Sequence, residues 1–192
     1  GEYSAGCLQG GKELPLHGRG YQVMHPSRVR HFGHPTLIDF LQKLGRSVAD
    51  AGLAPLLVAD LSQPRGGRAL GGHASHQSGL DVDLWYFHPK PKQKKLLSET
   101  EIETVKARSI LDGKTQTIAA AWQTRVRDLL QLTAKDERVE RIFVHPIIKR
   151  DLCQAAPSDP KERAWLSKLR PWHGHDDHFH VRPRRASAAS PT

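Results

Sequence analysis

The chain has 192 residues, 38% of them hydrophobic, which predicts one globular domain over residues 1–192 with a core of ordinary size. No apolar run approaches the roughly 20 residues that cross a bilayer, so no transmembrane segment is expected. The net charge of +9 fits a basic soluble surface or an anionic polymer partner, and the lack of helix-turn-helix, zinc-finger and base-stacking motifs argues against nucleic acid.

The spacing of apolar residues predicts four helices and four strands. In chain order they are a helix over 35–51, strands over 55–60 and 80–85, a helix over 118–132, a strand over 141–144, helices over 146–152 and 159–169, and a strand over 178–182. Between them, the glycine-dense segment 61–75 is expected to be a loop. The polar segment 88–117 is expected to be a surface excursion with a strand turn at 111–114.

The few short strands do not alternate strictly with the helices. This pattern predicts an α+β fold with a small, mainly antiparallel sheet flanked by helices. Residues 1–33 are expected to be irregular apart from an apolar patch at 21–24. Ranges 1–20 and 184–192 are expected to be peripheral.

Two cysteines, Cys7 and Cys153, stand far apart and form no CxxC pair, which argues against a zinc knuckle. In an oxidising compartment they could form one disulfide, and the sequence is equally compatible with two free thiols.

Two short stretches, residues 75–83 and 178–180, carry the clearest chemical signal. His76, Asp83 and one histidine of the second stretch supply two imidazoles and a carboxylate, which leaves a fourth metal position open for water, as catalytic zinc requires. On an extended strand, His178 and His180 face the same side, so one can bind the metal while the other moves protons.

A lone HxH pair is a weak signal in a chain with twelve histidines. Five other histidines are interpreted as surface or capping residues: His17, His25, His31, His34 and His88. The specificity of the site lies in the combination of a glycine-bearing SHxxGxDxD element with a strand HxH about 100 residues later.

Residues 75–83 resemble the metal-binding signature of the LAS-type zinc peptidases, a group that includes D-alanyl-D-alanine carboxypeptidases, lysostaphin-type peptidases and hedgehog domains. Within that group, blocks in the same order over residues 6–184 are similar to the penicillin-insensitive murein endopeptidases. These blocks are Tyr21–Met24, Phe32–Pro35, Gly67–Arg68, Gly71–His76, Arg141–Val144 and Arg170–Trp172.

The resemblance implies a zinc ion bound by His76, Asp83 and His180 in a groove of a LAS- or hedgehog-like fold. It implies His178 as the catalytic base, with His175 orienting the leaving group. The substrate implied is peptidoglycan, cleaved at its D-alanyl–meso-diaminopimelyl cross-links by a periplasmic enzyme whose signal peptide is not in this chain. No acylated serine is implied, so penicillin has no group to acylate.

Three further residues are candidates for binding. Arg68, on the glycine loop, could bind a substrate carboxylate or the oxyanion, or form a surface salt bridge. Trp85, at the end of the ligand strand, could line the groove or pack in the core. His73 matches a family position for a second metal, although Thr115 stands where the family has a further histidine of that site.

Two other functions remain open from the sequence. A related zinc carboxypeptidase that trims terminal D-alanine would need a closed pocket end with a cation. A non-catalytic, zinc-containing wall-binding module would have no use for a second histidine beside the metal.

Overall fold

The computed structural model of the protein describes residues 5–68 and 75–184. Its helices are α1 Pro35–Asp50, α2 Glu99–Thr104, α3 Gln123–Lys135, α4 Pro146–Gln154 and α5 Pro160–Arg163. Its strands are β1 Lys12–Glu13, β2 His17–Gly18, β3 Tyr21–Val23, β4 Phe32–Gly33, β5 Leu56–Val58, β6 Val82–Trp85, β7 Leu111–Asp112, β8 Thr117–Ile118, β9 Val139–Val144, β10 Leu169–Pro171 and β11 His178–Pro183. In these ranges, no helix has the length and apolar character needed to cross a membrane.

The main sheet has seven strands in the order β10-β9-β11-β6-β5-β3-β2. Four of its neighbouring pairs are antiparallel, whereas β10–β9 and β3–β5 are parallel. Parallel neighbours need a crossover, and here α1 connects β3 to β5 while α4 and α5 lie between β9 and β10. The predicted α+β class with a mainly antiparallel sheet is therefore confirmed, with two parallel pairs added.

Helix α1 follows the predicted boundaries closely. Pro35 occupies its first turn, and the His34 side chain accepts a hydrogen bond from Thr36 N, which confirms the predicted capping role of His34. Its buried face carries the apolar residues that predicted it, so the helix packs onto the sheet. A Cβ on Gly20 would lie 2.0 Å from Gly45 O, so these two glycines let α1 approach β3 closely.

Three predicted segments are wrong in detail. The excursion 88–117 contains α2, which a reciprocal capping box between Ser98 and Glu101 begins. The helix predicted from Ile118 starts at Gln123, because Ile118 instead pairs with Leu111 in the β7–β8 hairpin. The helix predicted over 159–169 tightens into a 3-10 turn after α5 and gives way to β10.

The region before α1 is also more regular than predicted, since it holds β1 to β4. The surface interpretation holds for His17, but His25, His31 and His88 are buried, which corrects the prediction. Their polar partners are Glu103 O for His25 Nδ1, Glu13 Oε1 for His31 Nε2 and Lys90 N for His88 Nδ1. Each buried imidazole thus keeps a polar partner for one of its ring nitrogens. Cys7 and Cys153 are free thiols, so the disulfide alternative is not formed.

Candidate metal centre

The centre of the sheet brings the two sequence motifs together. Strand β11 lies between β9 and β6, and its register places His180 opposite Asp83 on one side and Phe143 on the other. Cross-strand partners project to the same face of a sheet, so these three side chains form a row across three strands. His178, two residues before His180, projects to that same face, as predicted.

His76 reaches the row from the turn before β6. Its φ of +67° lies in the left-handed region, and so does that of Gly79 within the same turn. A left-handed residue other than glycine costs roughly 1–2 kcal/mol, so the surrounding structure must hold His76 in place. The turn directs His76 Nε2 to 3.2 Å from Asp83 Oδ2, while His76 Nδ1 lies 3.4 Å from the Asp81 carbonyl oxygen.

The residues predicted as metal ligands do come together. His76, Asp83 and His180 are buried, and each offers one ligand atom such that these atoms lie within 4.8 Å of one another. Among the described residues, this is the one group of three that meets this criterion. Two imidazole nitrogens and one carboxylate are a donor set that suits zinc with an open coordination position.

Asp81 supplies an outer partner to this group, which the sequence reasoning did not assign. It is fully buried, and its Oδ2 lies 3.3 Å from His180 Nε2 and 3.2 Å from Arg182 Nη2. Metal-binding histidines usually have a carboxylate or carbonyl at the ring nitrogen that faces away from the metal. The placement of His180 Nδ1 near Asp83 and of His180 Nε2 near Asp81 therefore fits a metal ligand.

The charges of the group also fit a cation. Burial alone raises the pKa of Asp83, but attraction to His76 and hydrogen bonds from His180 and His76 outweigh it and hold that pKa well below its ordinary value. Burial lowers the pKa of His180, but its hydrogen bonds to Asp81 and Asp83 outweigh this and raise the pKa to about 9. A metal ion that binds here would therefore displace a proton from His180.

His178 stands beside the group with its second nitrogen directed at it. Its Nδ1 donates to Asp177 Oδ1 at 2.5 Å, and its Nε2 lies 3.9 Å from Asp83 Oδ1. Burial lowers the pKa of His178, but the hydrogen bond to Asp177 and the charge of Asp83 outweigh this effect and raise it. Asp177 fixes the tautomer that leaves Nε2 as the acceptor, a role that neither periodicity nor motif spacing indicated.

His175 lies next to His178, with their ring centroids 4.8 Å apart. Its Nδ1 donates to His173 O at 3.1 Å, and burial is the main cause that lowers its pKa. These contacts favour a neutral imidazole close to the metal group. His175 is therefore placed where a leaving group could contact it.

A groove of about 500 Å³ opens beside Asp83 and His178. Trp85 lines it and is also buried in an apolar cluster, so both of its predicted placements are met. The walls come from two segments, His25 to Arg28 and Glu103 to Ala107. On the opposite side of the metal group, Trp172 follows β10, with 63% of its surface exposed and its ring 6.1 Å from that of Phe143. The groove and the exposed Trp172 thus flank the metal group on its two sides.

Of two further predicted binding residues, one does not line the groove and the other lies outside the described residues. Arg68 is exposed and is absent from the described residues that line the groove. His73 lies in the range 69–74, outside the described residues. Of the predicted site residues in the described ranges, those on β6, on β11 and in the turns just before these strands converge, whereas Arg68 does not line the groove.

Comparison with known proteins places these residues in a family context. The sequence profile of the family described as "Penicillin-insensitive murein endopeptidase" matches residues 1–190. Proteins of that name from Yersinia enterocolitica, Haemophilus influenzae and Klebsiella pneumoniae are 46%, 44% and 43% identical over 186, 183 and 186 residues. These alignments cover 96%, 95% and 96% of this chain, but 65%, 62% and 65% of the relatives. The chain therefore spans less than two thirds of their length.

Proposed function

Because the chain belongs to the penicillin-insensitive murein endopeptidase family, we propose that it is a zinc-dependent endopeptidase that hydrolyses D-alanyl–meso-diaminopimelyl cross-links of peptidoglycan. One observation carries the proposal: His76, Asp83 and His180 offer ligand atoms within 4.8 Å of one another. The substrate assigned here requires a location outside the cytoplasm, and we infer the periplasm.

In this proposal His76, Asp83 and His180 hold the zinc ion. When bound, zinc supplies a Lewis acid that polarises the scissile carbonyl and lowers the pKa of water towards about 7. His178 Nε2 accepts the proton of the attacking water and passes it to the leaving amine. Asp177, at 2.5 Å from His178 Nδ1, keeps the ring in the tautomer that can do so. His175 orients the leaving group from its position beside His178.

An endopeptidase must accommodate substrate on both sides of the scissile bond, whereas a carboxypeptidase closes one side. The groove that Trp85 lines is on one side of the metal group, and the exposed Trp172 is on the other. This arrangement supports the hypothesis of an endopeptidase. A purely structural metal site would not need His178 with its nitrogen held toward the centre, which argues against a non-catalytic module.

The direct test is digestion of purified cell-wall sacculi, with muropeptides separated by chromatography before and after incubation. We expect cross-linked dimers to decrease and monomers to increase. A chelator should block this change, added zinc should restore it, and penicillin should have no effect. Release of D-alanine from uncross-linked pentapeptides alone would instead identify a carboxypeptidase. An unchanged chromatogram with bound zinc would identify a non-catalytic module.

A further inference from the structure

The groove beside the metal group contains acidic side chains that are already engaged within the protein. Asp60 Oδ2 accepts a hydrogen bond from Arg30 Nη1 at 3.2 Å. Glu103 accepts hydrogen bonds from the backbone nitrogen and the hydroxyl of Ser27, at 2.9 and 2.7 Å. These hydrogen bonds tie the two carboxylates to the walls of the groove, so their oxygens already have partners within the protein.

The two other acidic residues of the groove, Asp83 and Asp177, also have partners within the protein. Asp83 faces His76 and His180, and Asp177 accepts from His178. A ligand that enters the groove therefore meets acidic groups whose oxygens are already engaged by neighbouring residues.

The cationic side chains that line the groove have fewer close ion-pair or hydrogen-bond partners than its acidic side chains. Lys106 lines the groove with an exposed side chain, and its ammonium forms no ion pair or hydrogen bond with any residue in the described ranges. Arg28 also lines it, half exposed, with its Nη1 3.9 Å from Asp60 Oδ1, at the outer limit for an ion pair. Beside its engaged carboxylates, the groove thus offers a ligand two cationic side chains, Lys106 and Arg28, whose donors are not taken up by a close partner among the described residues.

The position of Lys106 is fixed by its neighbours in sequence. Val105 and Ala107 both pack against the apolar cluster that includes Trp85. Side chains alternate along an extended segment, so Lys106 projects away from that cluster with its side chain exposed. Lys106 and Trp85 both line the groove that opens beside Asp83 and His178.

We propose that Lys106, assisted by Arg28, binds the free carboxylate of the substrate that lies next to the scissile amide. This proposal rests on the proposed function. Each end of diaminopimelate is an α-amino acid, so the carbon that bears the acylated nitrogen also bears a carboxylate. With the scissile amide at Asp83 and His178, the leaving half of the cross-link extends into the groove, and this carboxylate meets the two cations. Lys106 is then a specificity residue, which selects cross-links whose carboxylate is free.

The test uses two dimeric muropeptides that differ only at this carboxylate, which is free in one and amidated in the other. We expect the zinc-loaded protein to prefer the free form by about 10-fold in kcat/KM, the discrimination that one charge-assisted contact typically supplies. Lys106→Met should bring the ratio near one, and Lys106→Glu should reverse it. Lys95→Met, which removes an exposed lysine outside the described groove lining, should behave as the unmodified protein.

A second measurement separates this inference from the proposed function. Equilibrium binding of both dimers to the His178→Ala variant reports recognition without turnover. Preference for the free form in that variant, lost when Lys106→Met is added, supports the inference whether or not cleavage occurs. An unchanged preference after Lys106→Met, in binding or in kcat/KM, overturns it. Failure of the unmodified protein to cleave either dimer overturns the proposed function alone.

Discussion

Asp83 is the carboxylate that both imidazoles of the metal group share, with oxygens 3.2 Å from His76 Nε2 and 2.9 Å from His180 Nδ1. We predict that Asp83→Ala removes zinc and activity together, because two imidazoles alone hold the ion too weakly. Metal analysis should fall from about one zinc per chain to a small fraction of that, while the far-ultraviolet circular dichroism stays close to that of the unmodified protein. Full zinc occupancy in Asp83→Ala would show that the ligand assignment is wrong.

His178 allows metal binding to be separated from proton transfer. We predict that His178→Ala keeps its zinc but loses at least about 10²-fold in kcat, the usual scale for a missing general base. Steady-state hydrolysis of a dimeric muropeptide, with zinc measured in the same sample, checks both parts. Near-normal turnover would assign the base to His175 or to a residue outside the motif.

At the scale of single residues, the two-residue period of a strand predicted that His178 and His180 share a face, and the structure places them so. The choice of His180 as the metal ligand came from the family resemblance and stays a prediction. The same period predicted Asp81 and Asp83 on one face. The Asp81 carboxylate contacts the site because β11 brings His180 Nε2 to 3.3 Å from Asp81 Oδ2. Asp177 is adjacent to His178 in sequence, and no period predicts that its carboxylate turns back onto the ring. Outer partners of a site depend on tertiary geometry, and the sequence therefore did not reveal them.

Helix α3 is joined to the strands by one buried arginine. Arg125 donates to the carbonyl oxygens of Tyr86, Ala54 and Pro55, at 2.8, 3.1 and 3.3 Å. We predict that Arg125→Met lowers the free energy of unfolding by about 4 kcal/mol, because three buried acceptors lose a charged donor together. Urea unfolding followed by circular dichroism provides the measurement.

Arg127, two residues further along the same helix, is the matched control. It pairs with its exposed neighbour Asp128, so Arg127→Met should change the free energy of unfolding by less than about 0.5 kcal/mol. Equal losses in the two variants would mean that the buried hydrogen bonds of Arg125 do not set the difference.

At the scale of elements, helices and strands with a clear apolar run or spacing were predictable from the sequence, whereas short strands without such a run were not. α1, β5, β6, β9, α4 and β11 all lie where apolar spacing predicted them, since each shows an uninterrupted run on one face. The short strands β1 and β10 lack the apolar run that marks β5, and they form only because a neighbouring strand offers hydrogen bonds. The Ser98–Glu101 pair has the sequence pattern of a capping box, and this pattern indicates the start of α2 within the segment that was predicted to be a surface excursion.

The whole molecule carries a net charge of +9, and the proposed substrate is an anionic polymer. We predict that zinc-free protein binds sacculi more weakly as salt rises, with a several-fold loss between about 0.02 M and 0.3 M, because the Debye length falls from roughly 20 Å to below 8 Å over this range. Co-sedimentation with sacculi at each salt concentration checks this. Binding that does not depend on salt would show that the basic surface has no part in recognition.

The position of β11 has a consequence for when activity can arise. His180 follows Asp83 by 97 positions, and its strand is the last of the described sheet in sequence yet lies between β9 and β6, at the centre. During synthesis from the N-terminus, His76 and Asp83 are therefore made well before His180, because all the intervening residues must be added first. Contacts between such distant segments form slowly, because a long loop must close before they are gained. A nascent or partly unfolded chain thus lacks the complete group of three side chains, and under the proposed function it is expected to gain hydrolytic activity only when the central strand is inserted.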